Sequence, residues 1–160
     1  MKKVNLKELA EQMDFMLDEW RYYLDRSTGE IISIDERYLG IAEDEDEESV
    51  LRLTEWEQDE VKQATDIINR WQDMLHFPDK RELGEYATME EFSEGFADAH
   101  IRDCLCIAID GSGAFRRFKN TINRFGIEDQ WYTYKDQAML EFARKWCEEN
   151  NIPYQLEDSE

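Results

Sequence analysis

Four basic side chains in one short segment are the residues of this sequence best suited to bind an anion. The segment GSGAFRRFKNTINR, residues 111–124, contains no acidic residue. The whole chain has 39 Asp and Glu against 19 Lys and Arg, and a formal net charge of −20. The basic residues of the segment are Arg116, Arg117, Lys119 and Arg124. Such a cluster favours an anionic partner surface, a small anionic ligand or ion pairs inside the protein.

Two glycines precede these cations, as in phosphate-binding loops. Glycines before a helix let backbone N–H groups approach an anion. However, Gly111-x-Gly113 lacks the third glycine of a dinucleotide fingerprint, and no Gly-Lys-Ser/Thr follows it. The segment therefore matches neither nucleotide-binding motif, and we expect no cofactor.

Apolar spacing predicts which side of this helix is buried. At about 100° per residue, four apolar residues share one side: Phe115, Phe118, Ile122 and Phe125. The cations cover the remaining arc, with Arg117 and Arg124 almost opposite the apolar side, so these two are the first choice for a partner contact. Exposed Tyr132 would add a stacking aromatic ring. The candidate binding residues are therefore Gly111, Gly113, Arg116, Arg117, Lys119, Arg124 and Tyr132.

A purely structural role for the same cations is the alternative. Arg116 and Arg117 in a first helical turn oppose the helix dipole. A tight Gly-Ser-Gly turn would bring them near the carbonyl end of the preceding helix, where cations are favoured. Acidic residues elsewhere in the chain could also pair with them. The sequence leaves both roles open.

Catalytic and metal-binding patterns are weak. His100 and Cys104 share a helix face, but the segment HIRDCLC does not supply the four ligands of a zinc site. No third group orients a Cys–His nucleophile pair, and no G-x-S-x-G or H-E-x-x-H signature occurs. The acidic run 43–48 lacks the alternating ligands and central glycine of an EF-hand. We therefore expect no metal and favour a protein without catalytic activity.

Helix and hairpin signals predict the elements that position the basic segment. Asn5 and the capping box TEWE at Thr54 predict helix starts. The segment WRYYLDRSTGEIISI predicts a β-hairpin with Gly29 in its turn, and Val50–Leu53 is a candidate third strand. The predicted fold is α+β, a predominantly helical single domain over residues 1–160 with an N-terminal β-hairpin packed on helices. Residues 43–48 are predicted to form a mobile acidic loop and residues 155–160 an acidic tail.

The C-terminal third of the chain resembles a bacterial group known as uncharacterised protein family 0158. Its members carry a similar Gly-x-Gly-Ala-Phe-Arg-Arg-Phe-Lys segment, followed by a Trp-Tyr pair and a Trp near the end of the last helix. The matching residues here are Gly111, Gly113, Ala114, Phe115, Arg116, Arg117, Phe118, Lys119, Trp131, Tyr132 and Trp146. The segments YYLDRSTGEI and MEEF are similar to the earlier part of the family. Ser112 departs from the basic residue expected there. The resemblance implies kinship but no activity.

Charge and hydropathy limit the partners and the compartment. A net charge of −20 repels DNA, RNA and anionic membranes over most of the surface. No apolar run approaches the roughly 20 residues that span a bilayer, and acidic and basic residues interrupt any signal-peptide core at the N-terminus. Three cysteines suggest reduced thiols. We therefore expect a cytoplasmic protein that binds an acidic or phosphorylated protein partner through residues 111–124. A nucleic-acid-associated protein using the same patch is the alternative, disfavoured by net charge.

Overall fold

Helical residues outnumber strand residues in residues 2–156, which a computed structural model describes. The helices are α1 (Leu6–Asp14), α2 (Glu36–Asp44), α3 (Glu47–Leu51), α4 (Glu55–Asn69), α5 (Lys80–Leu83), α6 (Glu85–Glu94), α7 (Ala99–Ala108), α8 (Ala114–Arg124) and α9 (Glu128–Glu149). The strands are β1 (Val4–Asn5), β2 (Trp20–Asp25), β3 (Ile31–Asp35), β4 (Met74–His76) and β5 (Tyr154–Gln155). The predicted α+β, mainly helical fold is confirmed.

Two compact units make up the described chain. Unit 1 contains residues 2–78 and 144–156, and unit 2 contains residues 79–143. The prediction of one domain over residues 1–160 did not include this subdivision. Each helix among residues 2–156 is too short or too polar to cross a membrane.

A three-stranded antiparallel sheet in unit 1 contains the predicted hairpin. Strands β2 and β3 pair with Tyr22 opposite Ser33, and the strand order is β3-β2-β4. Gly29 has a φ of 80°, and a Cβ at this position would lie 2.5 Å from the carbonyl oxygen of Lys2, so only glycine fits this turn.

The third strand is β4 and not Val50–Leu53 as predicted. Val50 and Leu51 end helix α3, which begins because the Asp46 side chain accepts a hydrogen bond from the backbone N–H of Ser49 at 3.2 Å. Strand β4 has only three residues, too few to show an alternating apolar pattern.

The hairpin packs on helices of unit 1, as predicted. Buried residues from β3, α2 and α4 form one apolar cluster, with partly buried side chains of the hairpin against it. Its buried members are Ile34, Tyr38, Val61, Ala64 and Ile67. The early caps are also confirmed, because Asn5 accepts from Glu8 N–H at 3.0 Å and Thr54 forms a capping box with Glu57.

A buried ion pair joins the hairpin to the end of α4. The Asp25 side chain is 3% exposed, and both of its carboxylate oxygens accept hydrogen bonds from Nη2 of Arg70, at 2.9 and 2.8 Å. Burial acts to raise the pKa of Asp25, but hydrogen bonds from Ser27 and Arg70 outweigh it and hold that pKa below its ordinary value. Arg70 also pairs with Asp66 at 3.0 Å. The pair therefore fixes strand β2 against helix α4.

Most of the predicted acidic loop 43–48 is helical. Glu43 and Asp44 end α2, and Glu47 and Glu48 begin α3, so the connection itself is residues 45–46. Acidic side chains in the first turn of α3 lie at the positive end of its dipole, which favours helix there. The mobility of the segment stays a prediction. Gln155, assigned to an acidic tail, pairs in strand β5 with β1, and residues 157–160 lie outside the described residues.

Unit 2 has an all-helical core in which aromatic rings converge. The ring centroid of Phe118 in α8 lies 4.8 Å from that of Trp131 in α9 and 6.1 Å from that of Phe92 in α6. The same cluster includes Leu105 of α7, which is fully buried. This core fixes α8 along its buried side, so the side chains on its other sides are held on a rigid element.

Candidate binding face on helix α8

Two glycines form the turn that carries the chain from α7 into α8. Gly111 and Gly113 have φ values of 80° and 81°, in the left-handed region that other residues adopt at a cost. The connection between the helices is residues 109–113. Because it is so short, the first turn of α8 lies beside the last carbonyl groups of α7.

Arg117 caps the carbonyl end of α7. Its Nε donates a hydrogen bond to the carbonyl oxygen of Ala108 at 2.8 Å, and its Nη2 donates to that of Asp110 at 2.5 Å. Its Nη1 donates to the carbonyl oxygen of Ser112. The last carbonyls of a helix have no partner within the helix and carry the negative end of its dipole, so a guanidinium there is stabilising. For Arg117 the structural role left open by the sequence is therefore observed.

Arg124 is also occupied by contacts inside unit 2. Its guanidinium carbon lies 4.5 Å above the ring centroid of Phe125, and its Nη2 lies 3.7 Å from Sγ of Cys104. His100, which the sequence placed on the same face as Cys104, packs edge-on against Phe125, with ring centroids 5.9 Å apart. Arg124 therefore contacts both α7 and the end of α8, although its side chain remains exposed.

Arg116 and Lys119 are exposed cations of α8 that make no such contacts. Within residues 2–156 neither side chain forms a hydrogen bond or an ion pair, although the chain is rich in acidic residues. They lie three positions apart, on neighbouring turns of the same side of the helix. These two cations are the part of the basic segment that is available to another molecule.

Phe115 lies next to these cations on α8 and is exposed, contrary to the sequence prediction. Its side chain is 45% exposed, whereas Phe118 and Ile122 are buried. Ala114 is also buried, so the buried arc is centred near Phe118, and Phe115 lies about 60° away from that centre. Sequence reasoning missed this because it centred the arc on the phenylalanines and did not include Ala114. We call Phe115, Arg116 and Lys119 the α8 face.

Tyr132 lies on helix α9 and is 52% exposed. Within the described residues it makes no hydrogen bond or ring contact, whereas its neighbour Trp131 is buried against Phe118. The α8 face therefore consists of three residues of one helix, and Tyr132 lies on another helix without a hydrogen bond or ring contact to them.

Replacing Gly113 with alanine should destabilise the protein more than replacing Gly111. Both substitutions force a Cβ into the left-handed region, at a cost of roughly 1 to 2 kcal/mol. A Cβ at Gly113 would also lie 3.0 Å from Nη1 of Arg117, whereas one at Gly111 has no atom within 4 Å. Urea denaturation of the two variants measures the difference. Equal losses would show that Arg117 moves aside without cost.

Comparisons with known proteins give a family and nothing beyond it. A family model described as an uncharacterised protein family (UPF0158) matches residues 2–159. Neither a curated protein nor a solved structure matches the chain.

Proposed function

Because this chain belongs to the uncharacterised protein family UPF0158, whose description carries no activity, we propose a function from the α8 face: the protein binds an acidic or phosphorylated segment of another protein. The observation that carries this proposal is the presence of two cations without partners inside the described residues, beside an exposed phenylalanine. Arginine and aromatic side chains are enriched where protein interfaces gain most of their energy.

The charge of the rest of the molecule supports an acidic partner. The chain has 39 acidic and 19 basic residues, yet Arg116 and Lys119 form no ion pair with an acidic side chain among residues 2–156. An acidic segment would meet them directly, with the Phe115 ring as an apolar contact beside the charges. The surrounding negative charge would restrict how such a segment approaches, which favours selectivity over raw affinity.

A nucleic acid is the weaker candidate for the same face. Because Arg117 and Arg124 already contact groups of unit 2, two cations of α8 have no other contact that competes with a phosphate. Nucleic-acid affinity grows with the number of phosphates neutralised, and the net charge of −20 opposes the approach of a polyanion. We therefore keep nucleic acid as an outcome of the test.

Charge reversal at the α8 face should abolish partner capture. The baits are the wild-type protein, the variant R116E/K119E and the control R52E/K145E, which makes the same charge change at two exposed positions elsewhere. In a nuclease-treated bacterial lysate, at least one acidic protein should be retained by wild type and control and lost from R116E/K119E. With that protein purified, fluorescence anisotropy should show binding weakened at least about tenfold by R116E/K119E.

Identical sets of captured proteins on all three baits would refute the proposal. Labelled single-stranded DNA and RNA form a parallel arm at about 50 mM salt, where phosphate contacts are strongest. If either binds the wild type and loses affinity on R116E/K119E, the ligand is nucleic acid and the protein-partner proposal is wrong.

A further inference from the structure

Unit 1 contains an open apolar groove between helices α2, α3 and α4. Its cavity volume is about 570 Å³, within the range of ligand-binding pockets. The apolar lining residues are Ile41, Ala42, Val50, Leu51, Val61 and Ile68. Leu51 is 77% exposed, whereas Val61 is buried and belongs to the core of unit 1. The floor of the groove is therefore continuous with the core, and one of its edges is an uncovered leucine.

Acidic side chains rim this groove. Glu43, Glu45, Asp46 and Glu47 all line it. Asp46 accepts hydrogen bonds from Ser49, but in the described part of the chain the other three side chains form neither ion pairs nor hydrogen bonds. Glu45 has a φ of 53°, which turns the chain sharply between α2 and α3 and keeps its neighbours at one end of the groove. The rim thus carries negative charge that the described chain does not neutralise.

We propose that this groove binds a basic amphipathic segment of a partner protein, with an apolar side chain in the groove and Lys or Arg side chains on the rim. The apolar floor suits an apolar anchor, and the exposed carboxylates on the rim attract cations. The carboxylates do not converge on one point, since no three acidic, His or Cys side chains within residues 2–156 come together as metal ligands. Cations spaced along a peptide match such a spread of charge, as in other helix-in-groove complexes.

This inference does not depend on the function proposed for the α8 face. The groove lies wholly in unit 1 and selects positive charge, whereas the α8 face lies in unit 2 and selects negative charge. Variants of one surface should therefore leave binding at the other unchanged, and R116E/K119E serves as a further control.

A synthetic peptide of Leu and Lys at helical spacing, about four helical turns long and labelled with fluorescein, is the probe. At about 150 mM salt, where long-range attraction to the net charge is screened, it should bind the wild type. The variants Glu43→Gln/Glu47→Gln and Leu51→Ser should each weaken binding by about tenfold. Two control peptides, with Glu in place of Lys or Ser in place of Leu, should not bind.

Matched protein variants separate the groove from general charge. Glu55→Gln/Asp59→Asn removes two carboxylates from α4, and neither residue lines the groove. Glu55 lies in the first turn of its helix, as Glu47 does. Leu17→Ser is the apolar control, because Leu17 is also exposed and lies outside the groove. Both controls should bind the peptide like the wild type.

Three outcomes would overturn the proposal. In the first, the wild type fails to bind the peptide. In the second, the groove variants and their controls bind it equally. In the third, sedimentation shows that the protein alone is a dimer that Glu43→Gln/Glu47→Gln dissociates, in which case the occupant is a second copy of the chain. Thermal melts of all variants check that each is folded.

Discussion

Replacing Arg70 with alanine should lower the melting temperature by at least about 6 °C, because it leaves the buried carboxylate of Asp25 without its partner. Asp25 is almost fully buried, and the guanidinium donates to both of its oxygens, whereas Ser27 donates to Oδ1 alone. The same substitution removes the contacts of Arg70 with Asp66 and Asp73. Thermal unfolding followed by circular dichroism measures the shift.

Arg52→Ala is the matched control, since Arg52 is exposed, follows helix α3, and has a side chain that forms no hydrogen bond or ion pair in the described chain. It should melt within about 2 °C of the wild type.

The dependence on pH gives a second test. The pKa of Asp25 lies below its ordinary value, so the pair stabilises the protein above about pH 4 and its contribution is lost as pH falls through the lowered pKa. The difference between wild type and Arg70→Ala should therefore narrow under acid conditions. Equal melting of Arg70→Ala and Arg52→Ala would contradict the prediction.

Replacing Arg117 with alanine should lower the free energy of unfolding by about 1.5 to 3 kcal/mol. The substitution removes a charged donor from three backbone carbonyls at the end of α7 and in the turn to α8. Water can hydrogen-bond to those carbonyl groups in the variant. The loss in the free energy of unfolding is therefore smaller than the sum of three separate hydrogen bonds. Urea denaturation measures the change.

Arg116→Ala is the natural control for this prediction, because it removes the same side chain one position earlier, where that side chain forms no hydrogen bond or ion pair in residues 2–156. Its free energy of unfolding should stay within about 0.5 kcal/mol of the wild type. Lysine at position 117 should recover only part of the loss, since an ammonium group cannot bind three carbonyls in the fixed geometry of a guanidinium. If both alanine variants unfold alike, Arg117 does not stabilise the turn.

Comparing Arg117→Ala with Arg116→Ala separates an effect on stability from an effect on binding. Arg117 is expected to affect unfolding and Arg116 to affect partner capture, although the two residues are adjacent and identical in type. If Arg117→Ala lost the captured partner but stayed stable, and Arg116→Ala kept the partner, the α8 face would not be the binding site. The site would then include Arg117, one of the two residues that the sequence favoured first.

Local signals in the sequence determined the main helices and the hairpin, and several of their boundaries. Asn5 and Thr54 begin helices, and Gly29 turns the hairpin, as predicted. These features depend on residues within a few positions of one another, so the sequence contains all the groups that interact. The predominance of helix in an α+β fold followed from the same periodic patterns, and the motif in residues 111–119 indicated the family.

Contacts between distant segments could not be predicted in this way. Strand β4 is assigned only by its pairing with β2, as Tyr23 opposite His76, across some 50 residues of chain. The groove between α2, α3 and α4 exists only because three helices meet there, so the acidic run 43–48 gave no sign of the apolar floor beside it.

The basic segment shows most clearly the difference between what local sequence signals predict and what contacts between distant segments decide. By itself the sequence determined that four cations lie on one helix after a glycine turn. Only the tertiary structure decided that Arg117 meets the carbonyls of α7, that Arg124 lies over Phe125, and that Arg116 and Lys119 stay free within the described chain. The physical reason is that helical periodicity gives the direction of each side chain, whereas its partner depends on where a neighbouring element ends.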